Sequence, residues 1–559
     1  MGFISSSTIL LLYAHLATAD FPSAAQLFQL SGQDTVNNAK LSWQAVAGAS
    51  IYEVEQRSGD GDFSTVGTTA GNTHDVYDLP LNQPLDWRIT ARSNQTTIDQ
   101  SALVSLTPFT PSADYNTYDN TVASDALLKS ELVFNKTYYR YDYEAYSNGS
   151  FSRFVEKTSS DGYTYTGNRT VLTSTTLCAS ANYSCKLERQ QFLKHPDGHF
   201  IMWAHFERSQ DYALGQVAVA HASPGGELIF DGAFQPLGHD SRDMTFFADG
   251  EDAWLISSTN TNTDMNIYSL TKNWTAVDEL LVQVNKAAYR EAPAVVKQNG
   301  WFYLFTSRAA GWLPSQPQFI AAKSMAGPWG AAVDIGNTAT FSSQSGVVES
   351  LPSGQSFMLA DRWSANWPIA GGPNRQLALP ISFSGADGFA AYHFYPTVKY
   401  SDQVSEAGQG VFGVQEGRIL SVGQPSSSNA GSSNISLAND GTQDTPSAFF
   451  TPSQVPFWYQ IDLGNFSTVS RVELSTNMVQ GSETYYDFNI TGSADGSSFS
   501  LIGSKHDNVD VGFVSVASQS QEKFRYVRLN VNSIENAHNG NEADWARGIS
   551  EVTVYGQWP

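Results

Sequence analysis

The sequence predicts an all-β protein: a five-bladed β-propeller flanked by an N-terminal β-sandwich and a C-terminal jelly-roll β-sandwich. Three observations predict it. Short alternating or aromatic runs, bounded by Gly, Asn, Asp and Ser turns, fill the chain and read as strands. One aromatic strand type recurs five times through the middle, roughly every fifty to sixty-five residues, which is the signature of a repeat architecture. The composition changes after about residue 410, where Ser/Gly-rich turns replace the repeat.

At 559 residues the chain is too long for a single core, and several domains are expected. With 41% hydrophobic and 15% charged residues, most of it should fold. A formal net charge of −23 argues against nucleic acid and anionic membrane surfaces as partners, since both select basic faces. A neutral substrate fits better.

Residues 1–19 read as a secretory signal, with an apolar run reaching Leu16 and a small-residue site at Ala17-Thr18-Ala19 before Asp20. Secretion is the expected localisation. Nine sequons support it, at Asn94, Asn135, Asn148, Asn168, Asn182, Asn273, Asn434, Asn465 and Asn489. The two cysteines, Cys178 and Cys185, close a short loop, and in an oxidising compartment they are expected to form a disulfide.

Residues 20–110 alternate as strands. Leu85, Trp87, Ile89 and Ala91 fall on one face, and Ser58-Gly59-Asp60-Gly61 and Ala70-Gly71-Asn72 mark turns. The order of Trp43, Tyr52 and Trp87 resembles a fibronectin type III domain, a β-sandwich serving here as a spacer or interaction module.

The middle unit is placed at 111–415. Its recurring strands centre on Tyr139, Trp203, Trp254, Tyr303 and Met358, and further strands such as Gln216–Ala220 fit between them. About four strands per unit, five times over, make a five-bladed propeller. In a propeller the innermost strands line a central channel. Glu188, Asp243, Glu291 and Gln344 stand at equivalent places, near the starts of four successive inner strands, with Arg189, Arg242 and Arg290 beside them. One reading is a ring of buried ion pairs. The other is a site, because converging carboxylates are costly to bury without a use. Glycoside hydrolysis uses such a ring: one carboxylic acid protonates the leaving oxygen, and in inverting enzymes a base roughly 6.5–9.5 Å away activates water.

These residues resemble glycoside hydrolase family 43, inverting enzymes on a five-bladed propeller. Arg290-Glu291-Ala292-Pro293 is similar to the family's general-acid strand, which implies Glu291 as the acid. Ser241-Arg242-Asp243 is similar to the strand of the carboxylate that orients the sugar and raises the acid's pKa, which implies Asp243. The family's base Asp has no counterpart at the matching position, Leu128, and Asp125 and Glu131 flank it off-register. The exo-β-1,3-galactanase subgroup also lacks that Asp. There a Gln in blade five is proposed to take the base role and a Glu in blade two contacts the sugar, which implies Gln344 and Glu188 here. An amide is a poor base at neutral pH, so Gln344 is expected to position the water. The subgroup's His-Gly-Gly-Gly run is missing from the first blade. Arg242, Arg290, Trp312 and Trp363 are candidate substrate contacts, with Trp367 a further aromatic near them.

Residues 416–559, with Phe457–Gly464, Phe524–Leu529 and Glu551–Gly556 in order, resemble a discoidin (factor 5/8 type C) jelly roll, whose members often bind sugars. The expected protein is a secreted, monomeric exo-glycosidase releasing galactose from β-1,3-galactan of arabinogalactan. Its partners would be plant cell-wall polysaccharide or arabinogalactan-protein glycans. The alternatives are a β-galactofuranosidase or α-L-arabinofuranosidase of the same family, or a non-catalytic sugar-binding protein. The chemistry needs no cofactor and no catalytic metal, and a structural calcium in the C-terminal unit is compatible with it.

Overall fold

The computed structural model describes residues 21–94, 96–112, 114–122, 129–369, 371–385, 387–404, 409–431, 434–478 and 482–558. The expected signal segment and Asp125 lie outside the described residues. The chain is all-β: the α-helix Ser174–Leu177 is a single turn, and the other helical elements are short 3-10 turns.

Five separate four-stranded antiparallel sheets follow one another along the middle of the chain, each ordered as in the sequence. Sheet I holds Val133–Phe134, Thr137–Ala145, Phe151–Ser159 and Thr166–Thr173. Sheet II holds Cys185–Lys194, Phe200–Arg208, Gln216–Ala222 and Ile229–Phe234. Sheet III holds Met244–Asp249, Asp252–Thr259, Asp264–Leu270 and Val277–Val284. Sheet IV holds Arg290–Gln298, Trp301–Arg308, Pro317–Ala322 and Val333–Asp334. Sheet V holds Gln344–Ser350, Ser356–Arg362, Arg375–Phe383 and Ala390–Tyr392. The five aromatic strands of the repeat are the second strand of each sheet. Their Trp203, Tyr303 and Met358 are fully buried, because each sheet presses its faces against its neighbours and cannot stand alone. The first strands of sheets II to V touch in order, which brings their heads together.

The N-terminal unit is a two-sheet sandwich, and it does not stand apart. One sheet runs Thr73–Val76, Asn38–Trp43, Ser23–Leu30, Val411–Gln415, Thr397–Tyr400 and Asn116–Asp119. Residues 397–415 were expected to close the middle unit. The strands Thr397–Tyr400 and Val411–Gln415 instead complete this sheet, Val411–Gln415 joining Ser23–Leu30 in parallel. Without them, Ser23–Leu30 would present a bare row of backbone donors and acceptors. The sandwich expected at residues 20–110 thus takes in strands from beyond those bounds. The second sheet contains Ile51–Ser58 and Leu85–Ser93, and its Leu85, Trp87, Ile89 and Ala91 are all fully buried against Trp43 and Leu41. The alternation read from the sequence is thus the core face.

The C-terminal unit has its own core around Tyr459, Phe488 and Val554. Its long strand Phe457–Thr476 shifts register between Asp462 and Ser467, and so serves several partner strands in turn. Ser426–Ser428, in the Ser/Gly-rich stretch, pairs with it.

Cys178 and Cys185 are joined by a disulfide beside the head of sheet II. Eight of the nine sequon asparagines are exposed. Asn489 is half-buried in a strand and accepts a hydrogen bond from Asn530.

Candidate active site

Three of the inner strands carry the same local device. Their ladders slip by a bulge immediately after the candidate residue: between Glu188 and Gln191, between Glu291 and Ala294, and between Gln344 and Val347. A bulge turns the side chains at the strand head out of the ladder, which is how a strand re-aims a residue into a site. Arg189 and Ala292, the next residues in two of these strands, take positive φ angles of 53° and 51°. Such backbone is uncommon for residues other than Gly and concentrates at functional sites. In the Glu291 strand the bulge falls on Ala292-Pro293. Pro293 has no N–H to leave unpaired, and the freed Ala292 N–H donates to Asp243 Oδ2 at 3.1 Å.

Around the side chains so presented lies a cavity of about 1130 Å³. Glu291 is buried within it at 6% exposure. Its Oε1 accepts from Gln344 Nε2 at 2.9 Å and from Ala310 N–H at 3.1 Å, and its Oε2 accepts from Asn262 Nδ2 at 3.1 Å. Burial, and then the Asp243 carboxylate nearby, push the Glu291 carboxyl up to about 8. At neutral pH it therefore holds a proton. Oε1 already carries two donors, so Oε2 is the oxygen with room for it.

Arg189 is the hub of the site. Its guanidinium meets Asp243 at 3.2 Å, Asp361 Oδ2 at 2.8 Å and Gln344 Oε1 at 2.7 Å, tying sheet II to sheets III and V. Gln344 Oε1 also accepts from Trp363 Nε1 at 3.0 Å. Both lone pairs of the amide carbonyl are thus occupied, while its NH₂ keeps one hydrogen beyond the bond to Glu291.

Glu188 accepts from the Tyr212 hydroxyl at 2.8 Å and lies 3.3 Å from Lys186 and 3.4 Å from His205. Burial alone would raise its carboxyl, but His205, Lys186 and Tyr212 outweigh it and draw it down to about 2. His205, fully buried between Glu188 and Glu207, is held above its ordinary value by that pair against the opposing effect of burial.

The four carboxylate and amide residues expected from the sequence are thus brought together. Arg242 lines the cavity over the Tyr212 ring. Trp312 is 37% exposed at the cavity, edge-on to Trp363. Two expectations change. Arg290 is buried and gives its guanidinium to the carbonyls of Thr306 and Gln316 at 2.6 and 2.9 Å, so it holds the loop that carries Ala310 and Trp312. Trp367 is buried too and donates to the Trp312 carbonyl, beneath the platform. Glu131, the off-register acid, is exposed and sits near Glu349, five residues along its strand from Gln344 and roughly 16 Å away by strand rise.

Sequence reasoning missed Asp361 and Asn262. Asp361 pairs directly across the ladder from Gln344, but only because the bulge between Gln344 and Val347 shifts the register by one, so the hairpin turn alone would not have indicated the pairing. It is nearly buried, and Gln376 donates to its Oδ1 at 3.0 Å. Gly346 is required there, because a Cβ would stand 2.8 Å from the Asp361 carboxylate and 2.2 Å from the Leu359 carbonyl. Asn262 lies in a loop of left-handed residues and carries no sequence signal. Glu188, His205 and Asp243 place ligand atoms within 4.8 Å of one another. Lys186 and Arg189 already balance the charge of the two carboxylates, an arrangement suited to holding hydroxyl groups.

Comparison with known proteins bears on two parts of the chain. Residues 437–529 match the family model F5_F8_type_C_2, described as NedA-like, galactose-binding domain. Among solved structures, the exo-β-1,3-galactanase of Phanerochaete chrysosporium in complex with β-1,3-galactotriose shares the fold over 79% of this chain and 100% of its own, with 22% identity and a TM-score of 0.50. An exo-β-1,3-galactanase of Clostridium thermocellum aligns over 79% of this chain and 97% of its own at 21% identity, with a TM-score of 0.48. No sequence among curated proteins matches the chain.

Proposed function

We propose that the chain is a secreted, monomeric, inverting exo-glycosidase that releases galactose from β-1,3-galactan, the five sheets forming the blades of a propeller around the cavity. The observation that carries this reading is Glu291, a carboxylic acid kept protonated at neutral pH inside a sugar-sized cavity by burial and by Asp243. A general acid must hold its proton until the glycosidic oxygen needs it. In this reading Glu291 delivers the proton from Oε2 to the leaving oxygen. Asp243 keeps the acid charged with that proton and orients the sugar. Glu188, ionised, accepts a hydroxyl of the reacting galactose. Gln344 fixes the Glu291 carboxyl and offers its remaining N–H to the attacking water. Trp312 and Trp363 supply the apolar platform for the CH face of the ring. The substrate is carried over from the named structures, and the same constellation also suits a furanoside.

A second reading has its own support. The carbonyl of Gln344 is filled by Arg189 and Trp363, so it has no free lone pair with which to take a proton. A sugar-binding protein without turnover would look the same. A hydrolysis screen on β-1,3-galactan, aryl galactofuranosides and aryl arabinofuranosides decides between them, with Glu291→Gln as control. Galactose release that falls about 10²–10⁴-fold in the variant supports the galactanase. Release from a furanoside alone changes the substrate. Binding of galactan without turnover by the natural chain establishes the second reading.

A further inference from the structure

The cavity is not closed by the five sheets alone. Pro446, Met478, Glu483 and His538, all from the C-terminal unit, form part of its wall. That unit is seated firmly against the site. Arg362, next to Trp363, pairs with Asp510 at 2.8 Å and donates to the Val509 carbonyl at 3.2 Å. Val511 N–H donates to Ser342 Oγ at 3.1 Å, Thr338 Oγ1 to the Thr476 carbonyl at 3.0 Å, and the Tyr485 hydroxyl to the Ile369 carbonyl at 2.8 Å. Met478, Tyr485 and Val511 share an apolar cluster with Leu313 and Trp367, beneath the Trp312 platform. A module tethered only to hold the enzyme near its polymer needs none of these contacts.

Within this wall, Glu483 is 5% exposed, and its carboxylate bonds to one side chain, His538, through Oε2 at 2.8 Å. Its Oε1 has no partner among the described residues. The His538 imidazole is half open to solvent. The carboxylate Oε1 is not sealed from solvent, and Glu483 lines the cavity, so Oε1 is free to accept a hydrogen bond from a ligand there. None of the four C-terminal residues bonds to Glu291, Asp243, Gln344 or Glu188, so they meet parts of the substrate beyond the reacting sugar. In an enzyme that removes a terminal residue, those parts lie on the leaving-group side.

We propose that Glu483 and His538, facing the exposed Trp312 of the catalytic unit, form a binding position for the second sugar of the chain, which makes the C-terminal unit a wall of the active site. The ligand is a neutral sugar ring: its hydroxyls donate to the carboxylate and bond to the imidazole, and its CH face lies on the indole. This inference rests on the proposed function for the direction of the chain, and not for the identity of the sugar.

The test is calorimetric titration of the full chain carrying Glu291→Gln with mono-, di- and trisaccharides of the β-1,3-galactan series and of an arabino-oligosaccharide series. Measurements are made with and without His538→Ala, and with Glu483→Gln, which preserves shape. In whichever series binds, the gain in affinity from one sugar to two is expected to fall by about 10-fold in the His538→Ala and Glu483→Gln backgrounds, the size of a lost hydrogen bond to a charged group. A gain that is unchanged in both variants overturns the proposal. So does an equal loss for mono- and disaccharide, which would mean a general disturbance of the site. Binding of arabino-oligosaccharides alone, with the chain-length gain still dependent on His538, overturns the galactan reading and keeps this one. Failure of every saccharide to bind overturns both.

Discussion

Asp243→Asn separates the two influences on the acid. Glu291 is raised first by burial and second by the Asp243 charge. The asparagine keeps a carbonyl for the Ala292 N–H and leaves the burial unchanged, so only the charge is removed. Two carboxylates about 6 Å apart at an effective dielectric of 20 repel by about 2.8 kcal/mol, or about two pK units. Screening by Arg189, which pairs with Asp243, reduces this, and a fall of the Glu291 value from about 8 to roughly 6.5 is expected. The sign follows directly. The acid works protonated, so activity is retained below its pKa and lost as pH rises through it. At pH 7 the protonated fraction would drop from about nine-tenths to about one-quarter. The assay is kcat and kcat/KM on β-1,3-galactotriose from pH 4 to 9. A loss of sugar orientation would lower the whole profile evenly, whereas loss of the charge moves its alkaline limb to lower pH. A limb that stays in place, under a uniformly lowered profile, refutes the assignment of Asp243 as the group that sustains the acid.

Gln344→Ala should lose most turnover, because the variant frees the Glu291 carboxyl and the water position together; Asp361→Asn, acting only through Arg189, should cost less, and the reverse order in kcat would make Asp361 the group closer to the chemistry. Glu188→Ala should raise KM more than it lowers kcat, as expected for a hydroxyl contact to the sugar, and an unchanged KM counts against that role. Glu473, buried beside Tyr555 at the junction with the C-terminal core, is pushed up to about 7 by burial, above its unfolded value, so its contribution to stability is complete below about pH 4.5 and is lost as pH rises through 7, by roughly 3 kcal/mol; the melting temperature should fall across that window and fall less in Glu473→Gln, and parallel curves would refute it. Ending the chain before Glu416 should lower the melting temperature of the remainder by roughly 5 °C, because Leu313, Trp367 and Phe341 lose buried partners, each worth about 1.5 kcal/mol or more, and an unchanged value would mean that the two cores are independent.

The site was legible in the sequence where the chemistry lies at strand heads of a repeat. Glu188, Asp243, Glu291 and Gln344 stand near the start of successive hairpins, and a repeating unit places equivalent positions at one end of the sheets. Period-two burial was legible for the same reason: Leu85, Trp87, Ile89 and Ala91 alternate because a strand shows alternate residues to one face. Partnership between distant strands was not legible. Nothing local in Val411–Gln415 shows that it pairs with Ser23–Leu30, since the same alternating pattern serves any sheet edge. The direction of a side chain was not legible either. Arg290 and Arg242 precede acids in the same way and both line the cavity, yet the Arg290 guanidinium is spent on the carbonyls of Thr306 and Gln316 while that of Arg242 lies over the Tyr212 ring. The proton on Glu291 and the wall supplied by Glu483 and His538 belong wholly to the tertiary structure. Burial and a neighbouring charge exist only once sheets II to V and the C-terminal unit have converged, and the electrostatic state of a carboxyl group is set by what surrounds it in space.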